Sequence, residues 1–428
     1  MISSIIFILV FGLAIYFFSK NIQKVVRNIK LGKPLDRSDN PSERLKVMAM
    51  VALGQSKMVV RPVAGIMHII VYLGFILINI EVLEIIIDGI FGTHRFFAAP
   101  LGSIYTLAIN FFELLAVGVI IACVVFLVRR NILKIDRFTK PELKGWPFKD
   151  ANIILLVEII LMGALLKLNA VEANIEGALE KPFIVSQFIA PFFASYSQET
   201  LHIFERIFWW FHILGILAFL NYLPFSKHFH ILLAFPNTYF SNLKPKGKFT
   251  NMESVTNEVK IMLDPSYTPT TNTPPGRFGA KDVTDLTWKQ LLDAYTCTEC
   301  GRCTSECPAN QTGKLLSPRK IMMDTRDRLE EVGRNIDINK EFKDDGKSLL
   351  GNYITEEEIL ACTTCNACVQ ACPVNIDPLS IIIDLRRYLI MEESKAPAEW
   401  AGMLTNIENN GAPWQFSPSD RFNWANEN

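Results

Sequence analysis

The chain has 428 residues, 50% of them hydrophobic, and its 43 basic and 43 acidic side chains cancel. That length allows two or three domains, and the balanced charge gives no reason to expect nucleic acid as a partner. No Rossmann fingerprint, P-loop or Ser/His/Asp constellation occurs, which argues against hydride transfer or hydrolysis within the chain.

Five segments approach the ~20 apolar residues that a membrane-crossing helix needs. They are Ile2–Ser19, Pro62–Ile80, Phe96–Val128 (interrupted by Glu113), Ala151–Leu166 (carrying Glu158) and Ile207–Ser226. The first lacks a basic start and a small-residue cleavage site, so it reads as an anchor rather than a signal peptide. Loop charge is uneven: Lys20–Arg61 holds ten Lys or Arg residues and Arg129–Lys149 seven, whereas Ile85–Gly102 has only Arg95 and Leu168–His202 only Lys181. Basic loops stay inside. The expectation is an integral protein of a bacterial inner membrane, surrounded by lipid, with its N-terminus outside and everything after the fifth span in the cytoplasm. Between the fourth and fifth spans, Pro182–Tyr196 is apolar, too short to cross, and interrupted by Pro191. Two readings stay open for it: a segment lying along the outer membrane face where a quinone could enter, or a packed loop helix.

After the fifth span, Asp264–Gly279 is rich in Pro and Thr and reads as an extended linker. Eight of the nine cysteines then fall in two runs. The first is Cys297-Thr-Glu-Cys300-Gly-Arg-Cys303-Thr-Ser-Glu-Cys307-Pro308, and the second is Cys362-Thr-Thr-Cys365-Asn-Ala-Cys368-Val-Gln-Ala-Cys372-Pro373. Both are C-x₂-C-x₂-C-x₃-C-P, the pattern of two-cluster ferredoxins, in which the fourth cysteine ligates the other cluster. Three thiolates two residues apart wrap one corner of a cubane, and the fourth cysteine is expected to open a helix crossing to the second, with proline in its first turn. Two [4Fe–4S] clusters are therefore expected, one on Cys297, Cys300, Cys303 and Cys372 and the other on Cys362, Cys365, Cys368 and Cys307. Structural zinc is the alternative, but it uses pairs of cysteines rather than two proline-terminated runs of four. The insert between the runs carries Ser317-Pro318-Arg319-Lys320 and then a helical pattern, and the tail from Pro397 holds Trp400, Trp414 and Trp424.

Five of the six histidines, His68, His202, His212, His228 and His230, lie in or beside the second and fifth spans, and His94 follows the second. Imidazole is the usual axial ligand of haem b in a membrane helix pair. His212 and His230 are 18 residues apart, so they point the same way, about 27 Å apart, if the fifth helix continues through Pro224. His68 lies at a depth that suits His230, while Ile78 and Asn79 occupy the places where a partner for His212 is expected. The plainer reading is that such histidines bond to backbone carbonyls or line a pocket. Glu81, Glu84 and Asp88 share one face of the second span, and with Glu113, Glu158 and Lys167 they must pair or line a cavity. Glu113 or Glu158 is a candidate to exchange a proton with a quinone.

Two resemblances rest on these residues. From Leu286 (LTWKQLLDAYTCTECGRCTSECPA) through LSPRKIMMD to CTTCNACVQACPVNIDPLSIIIDLRRYL, about 110 residues, the chain resembles the iron–sulfur part of the heterodisulfide reductase-like (Fe-S)-binding proteins. With its five spans, outside N-terminus and Ser226-Lys227-His228-Phe229-His230-Ile231, the membrane half resembles the cytochrome b subunit of respiratory nitrate reductase. That second resemblance implies a haem b on His68 and His230 nearer the cytoplasm, and an outer one on His212 whose helix-two partner is missing. The first implies a further domain with cysteine-rich CCG motifs, which this sequence does not contain, so a separate soluble subunit is expected to supply it or the chain only relays electrons.

The fold expected is mainly α: a five-helix transmembrane, cytochrome b-like domain over 1–235, a linker along the membrane surface over 236–283, a helical, ferredoxin-like two-cluster domain over 284–396 and a tail over 397–428. The function expected is electron transfer between menaquinone or another quinone and a cytoplasmic oxidoreductase, through haem b and the clusters. The alternative is an ion-motive complex in which electron flow drives proton or cation transport.

Overall fold

A computed structural model describes residues 2–176, 183–269 and 276–426. Lys181 and Pro182, residues 270–275 of the expected linker and the last two residues of the tail lie outside them. The described chain is mainly helical, and its only β-contacts are the isolated bridges Lys33–Thr287 and Leu350–Ile354.

The longer helices are α1 (Ile2–Ile29), α2 (Pro41–Met48), α3 (Pro62–Phe91), α4 (Ser103–Leu127), α5 (Trp146–Glu172), α6 (Gln198–Tyr222), α7 (His230–Tyr239), α8 (Trp288–Thr296), α9 (Pro318–Asn339) and α10 (Pro378–Arg387). Of these, α1, α3, α4, α5 and α6 are long and apolar enough to cross a membrane. Their ends follow local chemistry. Pro62 sits in the first turn of α3, where its missing N–H costs nothing. Gly92 then closes α3 in the left-handed conformation (φ 70°). The Ser197 side chain accepts from Thr200 N to start α6.

Helices α3 to α6 pack in chain order, each on the next, and α1 closes the bundle against α3 and α6. Small residues allow the close approaches: a Cβ on Gly74 would meet Val119 Cγ2 at 2.5 Å, and one on Gly215 would meet Leu161 Cδ2 at 2.5 Å. The helices outrun the apolar runs that mark them, because α1 continues to Ile29 and α3 to Phe91.

The fifth helix does not continue through Pro224 to His230. Proline has no N–H to continue the ladder, so α6 stops at Tyr222 and two 3₁₀ turns, Leu223–Phe225 and Lys227–Phe229, carry the chain to a new helix beginning at His230. His212 and His230 therefore do not share a helix face.

The cysteine-bearing region docks on the end of the bundle where α1 ends and α3 begins. Val25 of α1, with Leu223, Phe229 and Ala234, belongs to the same apolar core as Leu291, Ile321 and Ile382. Helix α1 packs its polar end on α8 and α9. There Asn28 Nδ2 donates to the Tyr295 hydroxyl at 2.9 Å, Arg27 pairs with Asp337, and Gly333 leaves room for Asn28. Helix α7 packs between α2 and α8.

Candidate redox centres

The two cysteine runs fold into the same turn. Glu299 and Thr364 (φ 55° and 57°) precede the second cysteine of each run, and Gly301 and Asn366 (φ 71° and 62°) follow it, all left-handed. Such a conformation costs a non-glycine residue about 1 kcal/mol or more, and the turn accepts it at matching positions in both runs. Cys307 caps a short helix, Pro308–Gln311, as expected of a fourth cysteine. Cys372 does not. Pro373 is followed by a turn with Asn375 at φ 58°, and the next helix starts only at Pro378, where Asp377 accepts from Ser380 N.

The turns enclose two cavities. One is lined by Cys297, Cys300, Cys303 and Cys372. The other is lined by Cys307, Cys362, Cys365 and Cys368. Each cavity thus takes three thiols from one run and the fourth from the other. Among the described residues no group of three His, Cys, Asp or Glu side chains closes tightly enough for a single metal ion. Four thiols around an open cavity suit a polynuclear cluster, whereas zinc needs four ligands converging at about 2.3 Å. Backbone N–H groups point at sulfur, Ile376 N to Cys372 Sγ at 3.3 Å and Thr364 N to Cys362 Sγ at 3.4 Å. Burial pushes the Cys297 and Cys372 thiols up to about 12, so loading iron must displace their protons. Of the eight, only Cys365 is exposed.

Cations surround the first cavity. Arg302 and Arg319 line it. Arg319, fully buried, donates to Glu142 Oε1 at 2.8 Å and to the Arg137 carbonyl at 2.5 Å. Arg302 donates to the Lys57 carbonyl at 3.0 Å and to Met58 Sδ at 2.7 Å, which joins the first turn to the loop before α3. Glu299 is clasped by Lys227 and by Arg326 (2.9 Å). Burial opposes its ionisation, but the two cations hold the carboxyl below its usual range. In the sequence Arg319 and Lys227 stand in the Ser317–Lys320 and Ser226–Ile231 motifs and Arg302 between two cysteines, but none of the three carries a sign of its role here.

Three histidines meet at the end of the bundle where α3 begins. The His68 and His230 rings lie 6.3 Å apart, centre to centre, at 43°, and the His228 ring is 5.7 Å from His230. His230 Nδ1 lies 3.0 Å from the Lys227 carbonyl, and His68 Nδ1 is buried without a partner. His228 Nε2 lies 3.9 Å from Glu158. Two metal–imidazole bonds of about 2 Å each, with the ring radii added, put ring centres roughly 6 Å apart, so this pair fits a metal held between two imidazoles. His212 is elsewhere, buried, with Nδ1 3.0 Å from the Leu161 carbonyl. His94 stands 3.6 Å from Glu172, and His202 lines a shallow groove of ≈ 590 Å³ with Arg206 and Trp210.

The acids toward the other end of the bundle are knitted together. Arg95 turns inward from its loop to pair with Glu81 (2.9 Å), Glu172 (2.7 Å) and Glu84 (3.9 Å). Asp88 accepts from Arg95 N, and Glu113 from Asn169 Nδ2, Val185 N and the Ser186 hydroxyl. Lys167 is exposed. The described part of Pro182–Tyr196 forms two short 3₁₀ turns, Ser186–Phe188 and Ala190–Phe192. Phe183 and Ser186 are buried on the bundle, whereas Phe188 and Phe192 are 76% and 78% exposed.

Comparison with known proteins places a 4Fe-4S dicluster domain at residues 296–376. Over 99% of its length the chain is 30% identical to the probable iron-sulfur-binding oxidoreductase FadF of Bacillus subtilis, of which it covers 61%. Over 92% of its length it is 27% identical to the EtfAB:quinone oxidoreductase of Syntrophomonas wolfei, of which it covers 55%. Its cysteine region is 29% identical, over 28% of the chain, to 60% of a subunit of the ferredoxin/F(420)H(2)-dependent CoB-CoM heterodisulfide reductase of Methanosarcina acetivorans. The chain thus spans little more than half the length of the first two. No solved structure matches it.

Proposed function

We propose that the chain is a membrane electron-transfer subunit that links the quinone pool to a cytoplasmic oxidoreductase. The dicluster domain, the helices long enough to cross a membrane and the likeness to iron–sulfur oxidoreductases support its broad class. The finer reading is that His68 and His230 hold a haem b, that Cys297, Cys300, Cys303 and Cys372 hold the nearer [4Fe–4S] cluster, and that Cys307, Cys362, Cys365 and Cys368 hold the farther one. The observation that carries it is the facing of His68 and His230 at 6.3 Å, on the helix that follows the loop bonded to Arg302.

Haem b and the two cubanes, when bound, supply one-electron carriers. The chain's own residues order them. The Lys227 carbonyl fixes the His230 ring and so selects the nitrogen that faces His68. Lys227, through its side chain, ties that same turn to Glu299 in the first cysteine run. Arg302 and Arg319 offset the negative charge that four thiolates bring into a buried site. Cys307 and Cys372, each lining the cavity of the other run, make the two sites one unit. Exposed Cys365 marks the end from which a soluble partner is reached.

A quinone, menaquinone among the candidates, as the membrane-side partner is supported by the relative whose name includes quinone oxidoreductase and by the outward Phe188 and Phe192. The basic Lys20–Arg61 and Arg129–Lys149 loops favour a cytoplasmic cluster domain and an external N-terminus in a bacterial inner membrane. Ile78 and Asn79 stand on the second span where a partner for His212 would be needed, so we assign a single haem. A reduced-minus-oxidised absorption spectrum should show about one haem b per chain. His68→Ala and His230→Ala should each abolish that band and leave the cluster signals in electron paramagnetic resonance (EPR); full haem content in both variants would refute the assignment.

A further inference from the structure

Beside the second cysteine run lies a cleft of ≈ 610 Å³ that the relay leaves unused. Arg37, Lys57, Lys244, Lys246 and Lys248 line it, and none of these five forms an ion pair among the described residues. The other cations of the cleft are matched: Lys289 by Asp293 (2.7 Å), Arg387 by Asp384 (3.0 Å) and Lys33 by Asp285 (3.9 Å). Of the remaining acids, Glu43 pairs with Lys46 and Asp377 caps α10. The cleft therefore carries an excess of unneutralised positive charge. Arg37 Nε is buried there without a hydrogen-bond partner, an unfavourable state for a cation unless a counter-charge arrives.

The wall opposite these cations belongs to the redox centres. Asn366, Val369 and Asn375 line the cleft, and Asn366 also lines the cavity of Cys307, Cys362, Cys365 and Cys368. Lys57 Nζ donates to the Cys372 carbonyl at 3.2 Å. An anionic surface drawn into the cleft thus comes to rest against the second cysteine run, beside Asn366, the neighbour of exposed Cys365.

We propose that this cleft is the docking port for a soluble electron carrier that presents an acidic surface segment, and that the carrier exchanges electrons there with the cluster on Cys307, Cys362, Cys365 and Cys368. The inference rests on the relay reading above and adds the partner's chemistry and its place of contact. Each encounter moves one electron. The carrier is oxidised as the cluster is reduced, or the reverse, and no bond or proton changes hands. Opposite charge on the two faces accelerates productive encounter.

The test uses the full chain in phosphatidylcholine nanodiscs and the variant Lys244→Glu/Lys246→Glu/Lys248→Glu, whose three positions are exposed. Two probes are followed by stopped flow: a photoreduced acidic [2Fe–2S] ferredoxin, and basic cytochrome c acting as oxidant of the dithionite-reduced protein. The ferredoxin rate constant should fall about tenfold or more in the variant and steeply with salt in the native protein, while the cytochrome c rate is unchanged or raised. An unchanged ferredoxin rate in the variant, with dithionite still reducing its clusters, would overturn the port. So would loss of binding to phosphatidylglycerol vesicles without loss of that rate, since the ligand would then be a lipid headgroup. Clusters that dithionite cannot reduce in the native protein would overturn the relay itself.

Discussion

Gly301 and Asn366 occupy equivalent left-handed positions, yet their surroundings differ. A Cβ on Gly301 would meet buried Arg319 Nη1 at 2.4 Å, so the first run needs glycine where the second accepts asparagine. The cavities make a sharper statement about single residues. If ligation crosses between the runs, Cys307→Ser should perturb the same EPR signal as Cys365→Ser, and Cys372→Ser the same signal as Cys300→Ser. Pairing of Cys307→Ser with Cys300→Ser instead would mean that each run holds its own cluster. The sequence spacing already grouped these thiols, because three ligands of each set are neighbours in the chain and the proline-ended run is a local pattern. The cations around them were not legible, since Arg319 meets Glu142 and the Arg137 carbonyl only through the tertiary fold.

Among elements, the break between α6 and α7 matters most. A helix continued through Pro224 would put His212 and His230 on one face. The chain instead spends two 3₁₀ turns there, and the Ser226 side chain accepts from His228 N to start the second. That detour is what brings Lys227 to Asp150 and Glu299 and presents His230 to His68. Lys227 is one-tenth exposed, so Lys227→Met strips a buried pair of one partner. Arg326 still serves Glu299 and the Ser226 hydroxyl still serves Asp150, which puts the expected cost near the lower end of the range for broken buried pairs, about 3 kcal/mol. Thermal loss of cluster absorbance should begin at clearly lower temperature in the variant; coincident curves would contradict the clamp. The span ends differ from the apolar runs for a related reason. Charge at Glu81, Glu84 and Asp88 looks like the end of an apolar run, but Arg95 folds back from beyond α3 to pair with Glu81 and Glu84 and to donate its backbone N–H to Asp88 inside the bundle.

For the whole molecule, the end of the bundle where α6 stops and the cysteine region share one apolar core, with Val25 of α1 packed in the same cluster as Leu291 and Leu385. The helical class and the five spans could be read from hydropathy, which is a property of each segment alone. How the halves meet could not, because that rests on contacts such as Asn28 with Tyr295 and Arg302 with Met58, 267 and 244 residues apart in the chain. A shared core holds the histidine pair and the first cysteine set in fixed relation, as a relay requires. The most direct measurement of that relay is the rate at which a short-chain naphthoquinol reduces the clusters in native protein and in His230→Ala. A relay through His230 predicts prompt reduction in the first and at least about a hundredfold slower reduction in the second, a loss of roughly 2.7 kcal/mol in effective barrier, with dithionite reducing both. Equal quinol rates in the two proteins would contradict it.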